Sequence, residues 1–180
     1  MRKVLFIFGE LTDQDIDWMT SAGRKESLGA GAVLIQEGKT VSALYIVLDG
    51  SFRVLLAALD NKEIARLGAG EIVGEMSFVE HRPPSATVQA LKQSFVLAIP
   101  RSELNAKLKE DTAFAARFYK ALAVFLSYRL RRTVNQLGYG KPGSAKEEED
   151  SSDELDPGLL DKVYLAGSRF DRMVKHLMSK

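Results

Sequence analysis

Leu28-Gly29-Ala30-Gly31-Ala32-Val33-Leu34-Ile35 opens a stretch that continues through Leu44-Tyr45-Ile46-Val47-Leu48-Asp49-Gly50-Ser51-Phe52 and ends at Ser94-Phe95-Val96-Leu97-Ala98-Ile99. Short β-rich runs alternate with glycines along all of it. The runs are Ala32–Ile35, Ala43–Leu48, Ser51–Leu59, Glu63–Leu67, Ala86–Leu91 and Ser94–Ile99, and the breaks hold Gly29, Gly31, Gly38, Gly50, Gly68, Gly70 and Gly74. Short, regularly spaced strands with turn glycines predict an antiparallel barrel or sandwich. Phe52, Val54 and Leu56 alternate with Arg53 and Leu55, which buries one face of that strand. Asp60-Asn61-Lys62 supplies a hairpin turn before Glu63.

The flanks read as helix. Residues 1–27 are expected to be helical, with Thr12 as a cap and Asp13 and Asp15 near the positive end of the dipole. Val4–Phe8 fits either a first apolar turn or a strand. After Pro100, Ser102 can cap a short helix through Lys109, and Thr112 a longer one reaching Gly138. The longer helix carries two apolar stripes. One is Phe114, Phe118, Ala121, Phe125 and Tyr128; the other is Tyr119, Leu122, Leu126, Leu130, Thr133 and Leu137. Two stripes fit two packing partners, the barrel and a second copy of the same helix, or one broad core face in a monomer. The dimer reading assigns Tyr119, Leu122, Leu126, Leu130 and Leu137 to the interface.

Residues 138–155 predict a solvated, disordered acidic linker, since glycines, Pro142 and the run Glu147–Glu154 leave little to bury. Asp156-Pro157 then supplies an N-cap and an N1 proline. Leu160, Val163, Gly167, Phe170, Val174 and Leu177 follow at heptad-like spacing. A helix over 156–180 with this seam is too short to stand alone, so it docks on its own domain, a twin or a protein partner. The expected organisation is a domain over 1–137, with strands at 28–100 and helices at 101–137, then the linker and the docking helix.

Composition narrows the function. Of 180 residues, 46% are hydrophobic and 27% charged, ordinary for a soluble globular protein. The net charge of +1 gives no general attraction for nucleic acid or an anionic surface. The absence of cysteine excludes disulfides, thiol catalysis and Cys-based zinc sites, and two distant histidines, His81 and His176, argue against a histidine metal site. The apolar run Val4–Phe8 is too short for a signal core or a membrane span. A cytoplasmic protein without metal or cofactor is expected.

Two nucleotide-like motifs fail on context. Glu37-Gly38-Lys39-Thr40 ends like a phosphate-binding P-loop, but Val33 stands where the first glycine belongs. Gly68–Gly74 is one residue longer than a dinucleotide fingerprint and lies in a β-only region. No nucleophile, base and orienter are grouped in sequence, so an enzyme is not expected.

A longer constellation carries more. Gly31, Leu34 and Gly38, then Gly50 and Phe52, then Gly70-Glu71, Gly74-Glu75-Met76 and Pro83-Pro84-Ser85-Ala86-Thr87-Val88 resemble the cyclic nucleotide-binding domain family. That family includes bacterial catabolite-activator-type regulators, protein kinase regulatory subunits and some channels. The resemblance covers roughly residues 5–137. It implies an α+β, mainly β fold: an antiparallel jelly-roll β-barrel flanked by N-terminal and C-terminal helices, the last often a dimer interface.

The resemblance also implies a site. Between the sixth and seventh strands lies a phosphate-binding cassette whose glycine–glutamate turn opens a short helix; its glutamate meets the ribose 2′-hydroxyl, and a later arginine pairs with the phosphate. Gly74 and Glu75 match, and Met76 stands for the usual leucine. Pro84 stands where the arginine is expected. A proline has neither charge nor N–H, so it can neither neutralise nor donate to a phosphate. The candidate ligand residues are therefore Gly74, Glu75, Met76, Arg82, Ser85, Ala86 and Thr87, with Thr133 and Asn135 as base-side contacts and cyclic AMP or cyclic GMP as the ligand. Arg82 is a surrogate phosphate partner or a solvent-facing loop residue. Glu75 contacts ribose, caps its helix, or pairs with Arg82 or Arg53. Arg129, Arg131 and Arg132 serve the helix dipole or an anion.

Residues 138–180 hold no space for a helix-turn-helix module, so DNA binding is not expected. Two functions remain. One is a stand-alone regulatory module with weak or altered cyclic nucleotide sensing, relayed to the long helix and the tail. The other is a ligand-independent scaffold that dimerises and docks a partner through Leu160, Val163, Phe170, Val174 and Leu177.

Overall fold

The computed structural model describes residues 6–136 and 157–179. Leu137 and the 138–155 linker lie outside the described residues, and Asn135, Leu160 and Val163 are placed by backbone alone.

Two short helices come first, α1 (Phe6–Glu10) and α2 (Asp13–Ala22). The start of α2 is a capping box: the Thr12 hydroxyl accepts the Asp15 amide at 3.2 Å, and the Asp15 carboxylate accepts the Thr12 amide at 2.7 Å. The chain then enters β1 (Arg24–Leu28), where helix was expected. Arg24-Lys25-Glu26-Ser27 has no apolar alternation, and β1 is an exposed edge strand against β8, so its charges discourage further pairing while hiding the strand from a periodicity reading.

Next come β2 (Val33–Ile35), β3 (Ala43–Asp49), β4 (Ser51–Leu56) and, after a 3-10 turn, β5 (Lys62–Gly68). Asp60 and Asn61 take φ of 53° and 58°, the left-handed pair that closes a tight turn. The two-residue β6 (Ile72–Val73) leads into α3 (Glu75–Glu80), followed by β7 (Thr87–Ala90) and β8 (Ser94–Pro100). Every strand pair is antiparallel. The strands form two four-stranded sheets, β1-β8-β3-β6 and β2-β7-β4-β5, a jelly roll whose sheets are not hydrogen-bonded round into a closed barrel.

The middle of the first sheet, β8 and β3, is covered on both faces. In β3, Ala43, Tyr45 and Val47 join the core between the sheets, while Leu44, Ile46 and Leu48 join a second core with the helices. This explains its continuous apolar run. The close passage at Gly50 (φ 107°) is fixed by Ser94, whose Oγ would lie 2.1 Å from an added Cβ.

The C-terminal helices are α4 (Arg101–Glu110), α5 (Thr112–Gln136) and α6 (Pro157–Met178). Asp111, not Thr112, caps α5, its carboxylate accepting the Phe114 amide at 2.8 Å. Phe114, Phe118, Ala121 and Phe125 are buried as the first stripe predicts. The second stripe divides. Leu122 is buried in the helical core and Leu126 packs against it half-buried, while Tyr119 and Leu130 are exposed.

Helix α6 docks on α1 and α2 of its own chain. Its buried line is Ala166, Phe170, Met173 and Leu177, with Val174 half-buried and Gly167 at the margin. Phe170 and Leu177, expected to hold a partner, are thus spent within the domain.

Candidate functional site

The cassette is built by the turn from β6 into α3. Gly74 takes φ 89°, a left-handed conformation that a Cβ would strain, and its carbonyl accepts the Phe78 amide at 3.0 Å to begin the helix. Glu75 follows at once, 2% exposed. Ser77 is buried and its hydroxyl donates to the Arg82 carbonyl, folding the loop back on the helix. His81, left-handed at φ 57° and exposed, ends α3. Phe78 is buried, edge-on to Phe118 with ring centroids 6.1 Å apart, which seats α3 against α5.

The Glu75 carboxylate accepts a charge-assisted bond from Nη1 of Arg129, near the end of α5. The guanidinium also lies over the Phe125 ring, 5.4 Å from its centroid. Burial pushes the Glu75 carboxyl above its ordinary value, while Arg129 pulls the other way. Glu71 adds to the upward push; it is buried and accepts the Gly68 amide at 2.6 Å. Arg129 was expected to answer the helix dipole or an anion; it answers the cassette glutamate instead. Arg53, considered for Glu75, pairs with Gln89 at 2.8 Å.

The far side of the cassette is the 82–87 loop. Arg82 and Ser85 are exposed, and Pro84 and Ala86 are half-buried. The Pro84 carbonyl accepts the Gly38 amide at 2.9 Å, and the Thr87 hydroxyl accepts the Glu37 amide at 3.1 Å. Both bonds tie the loop to the β2–β3 connection. Met76 is 46% exposed on α3. Thr133 is exposed and its hydroxyl donates to the Arg129 carbonyl.

The structure sets Gly74, Glu75 and Ser77 at the start of α3, ties Pro84 and Thr87 to the β2–β3 connection, and leaves the side chains of Arg82, Ser85 and Thr133 at the surface. Arg129 and Phe118 were not singled out for the site. The signal was present: Phe118, Phe125 and Arg129 share one helical face, so Arg129 continues the buried stripe.

A jelly roll with a glycine–glutamate helix turn between its sixth and seventh strands is the architecture that the resemblance implies. Residues 25–111, from β1 to the end of α4, match the family model for the cyclic nucleotide-binding domain. The chain carries a domain of the cyclic nucleotide-binding family. It is 29% identical over 133 residues to the cyclic AMP receptor protein of Thermus thermophilus, covering 73% of this chain and 60% of that protein. It is 28% identical over 113 residues to a lysophospholipase of Aspergillus fumigatus, covering 62% of this chain and 7% of that enzyme. The solved structure of a cyclic nucleotide-binding domain from Methylobacillus flagellatus superposes with a TM-score of 0.69 at 21% identity, over 80% of this chain and 85% of that one. Among the described residues, no helix is long and apolar enough to cross a membrane, and no three His, Cys, Asp or Glu side chains are grouped to hold a metal.

Proposed function

We propose that this regulatory domain senses a cyclic nucleotide weakly or with altered selectivity, through the Gly74–Thr87 cassette, and relays occupancy to α5. The observation that carries this reading is the Glu75–Arg129 pair. The glutamate that would meet a ribose hydroxyl is already satisfied inside the protein, so a ligand must compete with a buried ion pair. The phosphate meets Pro84 where the family has its arginine. Arg129 is the cation nearest in role: released from Glu75, it can turn to an incoming anion. Calorimetric titration of the full chain with cyclic AMP and cyclic GMP tests the reading. Dissociation constants well above about 1 μM support it, and sub-micromolar binding of either overturns it.

The same pair favours a second reading, a scaffold that needs no ligand because its pocket carboxylate has its own counter-charge. Its dimer face is the part of the second stripe left in solvent, Tyr119 at 49% and Leu130 at 64% exposure. Sedimentation of the wild type and Leu130→Asp tests it: a dimer lost in the variant supports it, and a monomeric wild type ends it. The hydrolase activity named for the Aspergillus enzyme belongs to a far longer protein, and we assign none of it to this domain.

A further inference from the structure

Helix α6 lies outside the family-matched segment, yet it shares a core with it. Phe170 sets its ring edge-on to Phe8, centroids 5.5 Å apart. Arg169, only 12% exposed, donates through Nε to Asp13 at 2.5 Å and through Nη1 to the Phe8 carbonyl at 2.9 Å. One guanidinium from α6 thus fastens the middle of α1 to the first turn of α2. Five residues are too few for a helix to persist alone. Helix α1 holds its shape because it is packed between α5 on one side and α6 on the other.

The cassette reaches the same helix from the opposite direction. Glu75 is bonded to Arg129 of α5, and Phe78 rests on Phe118 of α5. Lys120 of α5 pairs with Glu10 of α1 at 2.8 Å, and Arg117 of α5 grips Asp15 of α2 through two bonds of 2.7 and 2.9 Å. Cassette, α5, α1 and α6 form one unbroken series of contacts, with α1 shared by both ends.

Helix α6 meets α2 along a solvent-open groove. The groove, of about 220 Å³, is lined by Ile16, Thr20, Met173 and His176 among others. The neighbouring ion pairs of Arg172 with Asp13 at 3.6 Å and Asp17 at 3.2 Å are solvent-exposed and worth little. By contrast β3 and β8 are covered on both faces. Local opening draws first on an element whose outer contacts face solvent, and last on strands covered on both sides.

We propose that α6 is the readout of the cassette: its docking on α1 and α2 is energetically coupled to the Glu75–Arg129 pair, so that breaking the pair loosens α6. The physiological trigger rests on the sensing reading above; the coupling is a property of the chain alone and is tested without ligand.

The test is a double-mutant cycle read by hydrogen exchange on the full chain, with β3 and β8 as internal reference. Arg169→Ala alone should speed exchange across 157–178 about tenfold, the loss of a charge-assisted cluster. Glu75→Gln alone should speed it at least threefold while β3 and β8 stay protected. In the combined variant the two factors should fail to multiply, by at least threefold. If Glu75→Gln leaves α6 unchanged, or the factors multiply within about twofold, the coupling is overturned. Should Glu75→Gln also open β3 and β8, Arg129→Lys, which keeps the charge and shortens its reach, replaces it under the same criteria. With cyclic AMP or cyclic GMP added, calorimetric binding that leaves α6 exchange unchanged removes the readout role. Absence of binding removes the sensing reading alone, and the variant cycle still decides the coupling.

Discussion

Arg129 near the end of α5 donates to the carboxylate of Glu75 at the start of α3, across 54 residues of sequence. The bond joins the carboxylate that the resemblance assigns to ribose to α5, the second helix after the sandwich. Its strength comes from place: the Glu75 side chain is 3% exposed and that of Arg129 31%, so the pair is largely shielded from water. The pair gives Glu75 a counter-charge from within the protein, which a nucleotide bound as proposed above would have to displace.

Replacing Arg129 by alanine strands a buried carboxylate. Urea unfolding should show a loss of about 2–3 kcal/mol near neutral pH. Burial already pushes the Glu75 carboxyl upward, and removing Arg129 pushes it further. A raised carboxyl favours folding below its ordinary value and ceases to as pH rises through its folded value. The deficit should accordingly shrink toward acid pH. A deficit independent of pH would mean that Glu75 is not the group left unpaired.

Phe170→Ala should remove a side chain that is 2% exposed and in contact with Phe8. A cost of about 3–4 kcal/mol is expected if α6 stays docked on a cavity. A smaller cost, with exchange rising only in 157–178, would mean that α6 leaves before the domain unfolds. Stability within about 0.5 kcal/mol of wild type would show that α6 contributes nothing to the domain.

Acid should weaken the same helical end. The Arg169 guanidinium holds the Asp13 carboxyl below its ordinary 3.8. For Asp15, burial pushes up, but bonds from Arg117 and Thr12 outweigh it and the net shift is downward from 3.8. The Phe114 amide and Lys107 lower Asp111. Depressed carboxyls stabilise the fold above their ordinary value and lose that contribution as pH falls through their folded values. Stability measured by urea at a series of pH values should be flat in this respect above about pH 4–5 and fall below it. Asp13→Asn should flatten part of that fall.

What could be read in advance follows from how strongly each element announces itself. The strands β2 to β5, β7 and β8 repeat apolar residues between glycines, and the turn between β4 and β5 needs left-handed residues, as Asp60 and Asn61 show. The capping box at Thr12 is a local device and equally legible. β1 is charged because it is an edge, and β6 is two residues long, so neither has a period to detect. Helix α6 showed its seam, but the seam's owner is a matter of tertiary contact: Phe170 and Leu177 meet this chain's own helical core. The turn into α3 was legible through Gly74 and Glu75. Its partner was not, because Arg129 belongs to another element and only the helical register, four residues past Phe125, hinted that it faces inward.

The most direct test of the account is calorimetric titration of Pro84→Arg beside the wild type with cyclic AMP and cyclic GMP. Restoring a charge-assisted phosphate contact worth about 1.5–3 kcal/mol should tighten binding of at least one nucleotide roughly 10- to 100-fold. Glu75→Gln in the same protein should reverse part of that gain. Affinity unchanged by Pro84→Arg, or a wild type that already binds as tightly, would contradict it.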